Sequence, residues 1–117
     1  ERGGSGYRRD ALEAAALFAR AAAAGSALGL FNHGWALVHG DGAPRDVDAG
    51  VAAWRAACAR APDDGAEEAA YHLYAAWRDM RADMSAATRE AVDAGACLDL
   101  AAALGFEPAR REREGLG

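Results

Sequence analysis

Apolar residues recur along the chain with the spacing of an α-helical face, and turn-forming residues separate the stretches in which they do so. The first stretch follows Asp10, whose carboxylate can accept hydrogen bonds from the free amides of a first helical turn. Gly25 and Ser26 interrupt the pattern and end the predicted helix. The apolar positions of this stretch lie three and four residues apart: Ala11, Ala14, Ala15, Leu17, Phe18, Ala21 and Ala22.

Three further helices are predicted from the same spacing. The second covers residues 27–39 and is closed by Gly40, since glycine readily adopts the left-handed conformation in which many helices end. The third covers residues 47–60, with Asp46 as its N-cap. The fourth covers residues 66–80. Each pair of neighbours is joined by a short turn, which favours antiparallel packing.

The remaining residues are less regular. Ser85 or Thr88 is predicted to cap a fifth helix that ends near Leu104, with Gly105 as its stop. The arginines and glutamates after Pro108 indicate a solvated tail or one short last turn. No segment alternates between apolar and polar residues as a strand would, so the sequence predicts an all-α protein.

A turn pattern occurs twice at a constant offset. Two glycines separated by one residue are followed, four positions after the second, by an aspartate. The first glycine can end one helix, the second allows the chain to reverse, and the aspartate begins the antiparallel partner. The two copies lie thirty-six positions apart: Gly4, Gly6 and Asp10 in the first, and Gly40, Gly42 and Asp46 in the second.

These residues resemble the Sel-1-like repeats, relatives of the tetratricopeptide repeat. That family has a first helix of the form A-x-A-x-Y-N-L-G-x-x-Y, a turn G-x-G-V-x-x-D and a second helix A-V-x-W-Y-R-K-A-A. Matching residues here are Ala27, Gly29, Phe31, Asn32, His33, Gly34 and Leu37 in the first helix, Gly40, Gly42, Ala43 and Asp46 in the turn, and Gly50, Val51, Trp54, Arg55, Ala57 and Cys58 in the second helix.

The resemblance implies four segments. Residues 1–26 would supply the turn and second helix of a partial first repeat, and residues 27–64 a complete Sel-1-like repeat. Residues 65–105 would form a divergent or capping repeat, in which Tyr74 replaces the expected glycine, and residues 106–117 a polar C-terminal tail. The chain would then start within a repeat, with any leader upstream.

The fold implied by the resemblance is an α-α superhelix, or solenoid, of antiparallel helix pairs. The implied function is that of a non-enzymatic protein-protein interaction or scaffold module, an adaptor or an assembly subunit of a larger complex. Two alternatives stay open: a small hydrolase of the cysteine-rich Sel-1-like type that uses a cysteine or histidine, and a purely structural subunit of a membrane-associated complex.

Two sets of residues are singled out by this resemblance. Trp35 lies at a variable position, where a large amphipathic ring serves either local packing or recognition. The candidate partner-binding residues, on the predicted surface of the first helices, are Asn32, Trp35, His39, His72 and Arg78. The candidate turn and packing residues are Gly4, Gly6, Asp10, Gly34, Gly40, Gly42, Asp46 and Trp54.

Composition limits the classes of partner. The net charge is −5, and the arginines are interleaved with glutamates, so no basic stripe could neutralise a run of phosphates and nucleic acid is not an expected partner. The longest apolar stretch is broken by Arg20 and is rich in alanine, which argues against a membrane span. Cys58 and Cys97 lack the spacing of a metal site, and no cofactor is expected. A soluble or peripheral protein fits, and the compartment stays open.

Overall fold

The computed structural model describes residues 3–115, with side chains from residue 9, and this part of the chain is helical without any strand. The all-α prediction is therefore confirmed. A single-turn 3-10 helix, Arg81–Asp83, lies between the fourth and fifth α-helices. The α-helices are α1 (Gly3–Ala23), α2 (Ala27–His39), α3 (Val47–Cys58), α4 (Ala66–Asp79), α5 (Ala86–Ala91), α6 (Ala94–Ala103) and α7 (Glu107–Arg113).

The helix pair α2–α3 begins and ends where its capping residues predict. The Ser26 hydroxyl accepts a hydrogen bond of 3.0 Å from the amide of Gly29 at the start of α2. Gly40 ends α2 in the left-handed conformation, with φ at 67°. The Asp46 carboxylate accepts a hydrogen bond of 3.0 Å from the amide of Ala49 and so caps α3. The predictions for Gly40 and Asp46 are confirmed.

The first copy of the turn pattern does not form a turn. Gly4, Gly6 and Asp10 all lie inside α1, which is helical from Gly3 onward, so the predictions of a chain reversal and of an N-cap at Asp10 are wrong. Glycine costs only about 1 kcal/mol relative to alanine in a helix interior, which allows the helix to continue through both glycines.

The C-terminal part contains more helices than predicted. One helix was expected up to Leu104, but the chain is extended at Val92 and a new helix begins after Asp93. The Asp93 carboxylate caps α6 by accepting a hydrogen bond of 3.0 Å from the amide of Ala96, and Val92 is buried. Of the two alternatives for the residues after Pro108, a solvated tail or one short last turn, the structure is nearer to the second: the short helix α7 packs on α6 through the fully buried Ala109.

The first four helices pack in chain order, whereas α5 contacts α3 and α4 packs on α6. Contacts join α1 to α2, α2 to α3, α3 to α4, α4 to α6 and α6 to α7. The largest fully buried side chains are Trp54, Leu73, Val38 and Val51, which come from α2, α3 and α4. The centre of the core therefore lies where these three helices meet. No described helix has the length and apolar character needed to cross a bilayer.

Glycine sets the distance between α2 and α3. A Cβ atom at Gly34 would lie 2.5 Å from the Trp54 ring and 2.9 Å from the backbone oxygen of Gly50. The same turn also touches α1, because a Cβ at Gly42, whose φ is +80°, would collide with the backbone oxygen of Ala11. Gly34 and Gly42 thus permit backbone approaches that a larger residue would block.

Candidate functional site

Trp35 carries an exposed indole at the centre of a surface made by two helices. Its side chain is 40% exposed, although neighbouring positions of α2 are buried. The ring of His39, one turn later on α2, has its centroid 4.1 Å from that of Trp35. The ring of His72, from α4, meets the indole edge-on at 5.7 Å. We call Trp35, His39 and His72 the Trp35 surface.

His72 connects the Trp35 surface to the core. Its ring centroid lies 5.0 Å from that of Phe31 and 5.6 Å from that of Trp54. Its Nδ1 is 2.8 Å from the backbone oxygen of Glu68. Because a carbonyl can only accept, Nδ1 carries a proton and donates it to this oxygen. The imidazole orientation is therefore fixed by both packing and a hydrogen bond.

The charge state of His39 follows from its surroundings. Partial burial lowers the pKa of His39 below its ordinary 6.5, and the proximity of His72 and Arg45 lowers that pKa further, while Asp41 opposes them weakly. His39 is consequently neutral at pH 7. At that pH the Trp35 surface thus presents the neutral imidazole of His39 beside the Trp35 indole.

The other two predicted partner-binding residues occupy different places. Asn32 is half-buried on α2, one turn before Trp35. Arg78 pairs with Asp79 at 2.8 Å and approaches Glu112 of α7 at 3.7 Å, with its guanidinium 5.4 Å from the ring centroid of Tyr74. The structure therefore brings together three of the five predicted residues, while Arg78 belongs to the contact between α4 and α7.

Two cysteines whose proximity the sequence did not predict line the same cleft. Cys58 of α3 and Cys97 of α6 border a space of about 230 Å³ whose walls also include Leu73, Val92 and Leu100. Both thiols are free. Burial raises the pKa of Cys58 to about 12, with a contribution from Cys97, and burial likewise raises the pKa of Cys97. The thiols are protonated at neutral pH and behave as small apolar groups.

The sequence did not predict that these two cysteines lie close together. They are far apart in the chain, and the end of α5 and start of α6, which position Cys97, were not predicted. Within the described residues, no three histidine, cysteine or acidic side chains are grouped so as to hold a metal ion.

No protein-family model, curated protein or solved structure matches this chain. The resemblance to Sel-1-like repeats therefore depends on the residues of the chain itself.

Proposed function

We propose that this protein is a non-enzymatic scaffold module whose Trp35 surface binds a protein partner. The observation that carries the proposal is the exposed Trp35 indole, held between His39 of its own helix and His72 of α4. Tryptophan is enriched among the residues that dominate binding energy at protein interfaces. A large ring that is already held in place loses little conformational entropy when it is buried by a partner.

The position of Trp35 supports recognition over local packing. Phe31 and Val38 of the same helix are 9% and 0% exposed, so the core face of α2 is already filled. Trp35 lies on the edge of that face and keeps 40% of its surface accessible. Its exposed part borders two imidazoles, which can donate or accept hydrogen bonds at the rim of an interface.

We further infer that the helices form a solenoid of the Sel-1-like type. Helix α1 packs on α2, α2 on α3 and α3 on α4, and α3 is related to α1 by the offset of the repeated sequence pattern. At this offset Leu17 corresponds to Ala53, yet Leu17 is 58% exposed and Ala53 is 8% exposed. This difference in exposure is expected if α2 covers the face of α3 that contains Ala53 and no helix among the described residues covers the equivalent face of α1.

The hydrolase alternative gains no support from the cysteines. A nucleophilic thiol needs a lowered pKa or an adjacent base, whereas burial raises the pKa of both Cys58 and Cys97. Histidine is absent from the described residues that line their cleft. An adaptor or assembly subunit, including one in a membrane-associated complex, fits a surface that recognises shape and aromatic contacts.

Affinity enrichment with paired variants tests the proposed function. The wild-type protein, the Trp35→Ala variant and the Leu17→Ala control are each used as bait, and bound proteins are quantified by mass spectrometry. Leu17 is a matched control because it is exposed and apolar but lies on α1. We expect a defined protein to bind wild-type and L17A baits and to be lost from W35A. Equal recovery with all three baits would contradict the proposal.

A further inference from the structure

Helix α1 exposes the side that faces away from α2. Its other side packs on α2, where Ala15 is buried. Leu12 and Leu17 lie outside that contact and are 53% and 58% exposed. Two of the four large apolar residues that the described part of the chain exposes therefore belong to one helix, and burying them against a partner is favourable. We call the exposed side of this helix the α1 face; its central residues are Leu12, Glu13, Ala16, Leu17 and Arg20.

Two opposite charges lie along the middle of the α1 face. Glu13 and Arg20 are exposed and, with Ala16 between them, follow the three-and-four spacing of one side of a helix. They lie about 10 Å apart along the helix axis and do not pair with each other. Among the described residues, neither forms an ion pair or a side-chain hydrogen bond. Both charges are therefore available to a partner.

We propose that the α1 face binds the same face of a second copy of this chain, with the two α1 helices antiparallel. A two-fold axis midway between Glu13 and Arg20 places each of these side chains opposite the other one in the second copy. The same ion pair then forms twice, once on each side of the axis. Parallel helices in register would instead place like charges opposite each other, so charge complementarity selects the antiparallel dimer.

The apolar residues of the α1 face fit the same symmetry. Leu12 and Leu17 lie on opposite edges of the face, so Leu17 of one copy shares an edge with Leu12 of the other, about one helical turn away. Ala16 lies next to the axis, where a small side chain allows the two helices to approach closely. Arg9 and Asp10 have opposite charges and lie beyond the central ion pairs, opposite alanines of the second copy.

The contact is limited to one helix of each copy, so the dimer should form reversibly. A standard protein interface buries about 1,600 Å² in total, and a pair of single helices buries less. We expect a dissociation constant in the micromolar range. The residues of the Trp35 surface belong to α2 and α4, and the partner here is a second copy of the same chain. Self-association of the purified chain therefore tests this proposal independently of the proposed function.

Sedimentation equilibrium of the intact chain measures the dimer directly. We expect monomer at about 1 µM and mostly dimer at about 100 µM. Glu13→Arg and Arg20→Glu should each weaken dimerisation about tenfold or more, because each places like charges together on both sides of the axis. Glu90→Arg is the matched control, since Glu90 is exposed on α5 and the change in net charge is the same as in E13R. It should dimerise like the wild type.

Mixing the two interface variants provides the sharper test. A dimer of one E13R chain and one R20E chain has an arginine opposite a glutamate on both sides of the axis, so the mixture should dimerise about as well as the wild type. A chain that stays monomeric at all concentrations, a dimer that E13R leaves unchanged, or a mixture that fails to associate would each overturn the proposal. Far-UV circular dichroism of each variant establishes that a loss of dimer does not arise from unfolding.

Discussion

The indole nitrogen of Trp54 donates a buried hydrogen bond of 2.9 Å to the backbone oxygen of Phe31. Trp54 is only 1% exposed, and its ring also stacks near that of Phe31, with centroids 6.3 Å apart. One side chain of α3 therefore both fills the core and satisfies its own polar atom on α2. Because His72 packs against both rings, this contact also supports the position of the Trp35 surface.

Replacing Trp54 by phenylalanine removes the indole N–H and part of the buried ring. We expect a loss of about 1–3 kcal/mol in the free energy of unfolding, measured by urea denaturation. Trp77→Phe is the control, because Trp77 is only partly buried and its described ring contact is with Arg81 at 4.5 Å. Its loss should stay below about 1 kcal/mol. Equal losses in the two variants would contradict the role given to Trp54.

A methyl group at Gly34 should be poorly tolerated. The added Cβ would crowd the Trp54 ring and the backbone oxygen of Gly50, so α2 and α3 would have to separate. We expect Gly34→Ala to destabilise the protein by about 2 kcal/mol or more in thermal or urea unfolding.

Gly95→Ala gives the matched comparison for Gly34. Gly95 is also helical, but the nearest atom to an added Cβ is the Asp93 carboxylate oxygen at 3.6 Å, which is an ordinary contact. Alanine favours a helix more than glycine does, so this variant should gain up to about 1 kcal/mol. Destabilisation of both variants to the same extent would show that crowding at the α2–α3 interface is not the cause.

The Asp46 cap can be tested with two substitutions. Asp46→Ala removes the acceptor for the Ala49 amide and should cost about 0.5–2 kcal/mol of stability, measured by chemical denaturation. Asp46→Asn keeps an oxygen acceptor of similar geometry and should retain most of that stability. A loss as large in the asparagine variant as in the alanine variant would be inconsistent with capping.

His39 should make stability depend on pH. Because its pKa is lower in the folded protein than the ordinary 6.5, the unfolded chain takes up the proton more readily. Its contribution is fully present above pH 6.5 and is lost as the pH falls from there through the folded pKa. Comparison of urea unfolding at about pH 7.5 and about pH 5.5 should show a smaller decrease in His39→Gln than in the wild type. An identical decrease would exclude this contribution.

Local signals in the sequence predicted the α2–α3 pair because each boundary has its own chemistry. Gly40 adopts the left-handed conformation that ends α2, and the Asp46 side chain satisfies an amide that the helix itself leaves free. These requirements hold whatever packs around them. The same reasoning failed at Gly4 and Gly6, which lie inside α1, because the cost of about 1 kcal/mol for glycine in a helix is too small to stop the helix by itself.

The contacts of the candidate sites could not be predicted because they join distant parts of the chain. The sequence identified Trp35, His39 and His72 as surface residues without showing that their rings meet. The sequence also did not show that Cys58 and Cys97 line the same cleft, because their proximity depends on where α6 begins. Helical spacing specifies which face a residue occupies, whereas the neighbour across the interface depends on packing.

Photocrosslinking at position 35 tests the central claim most directly. A benzoylphenylalanine in place of Trp35 should give, on irradiation in cells that produce the protein, an adduct of one defined mass that contains a second protein. The same residue in place of Leu17, which is 58% exposed on α1, serves as the comparison and should not give that adduct. Adduct formation at position 35 supports a partner bound at the Trp35 surface, whereas its absence, or an identical adduct from position 17, would contradict the account.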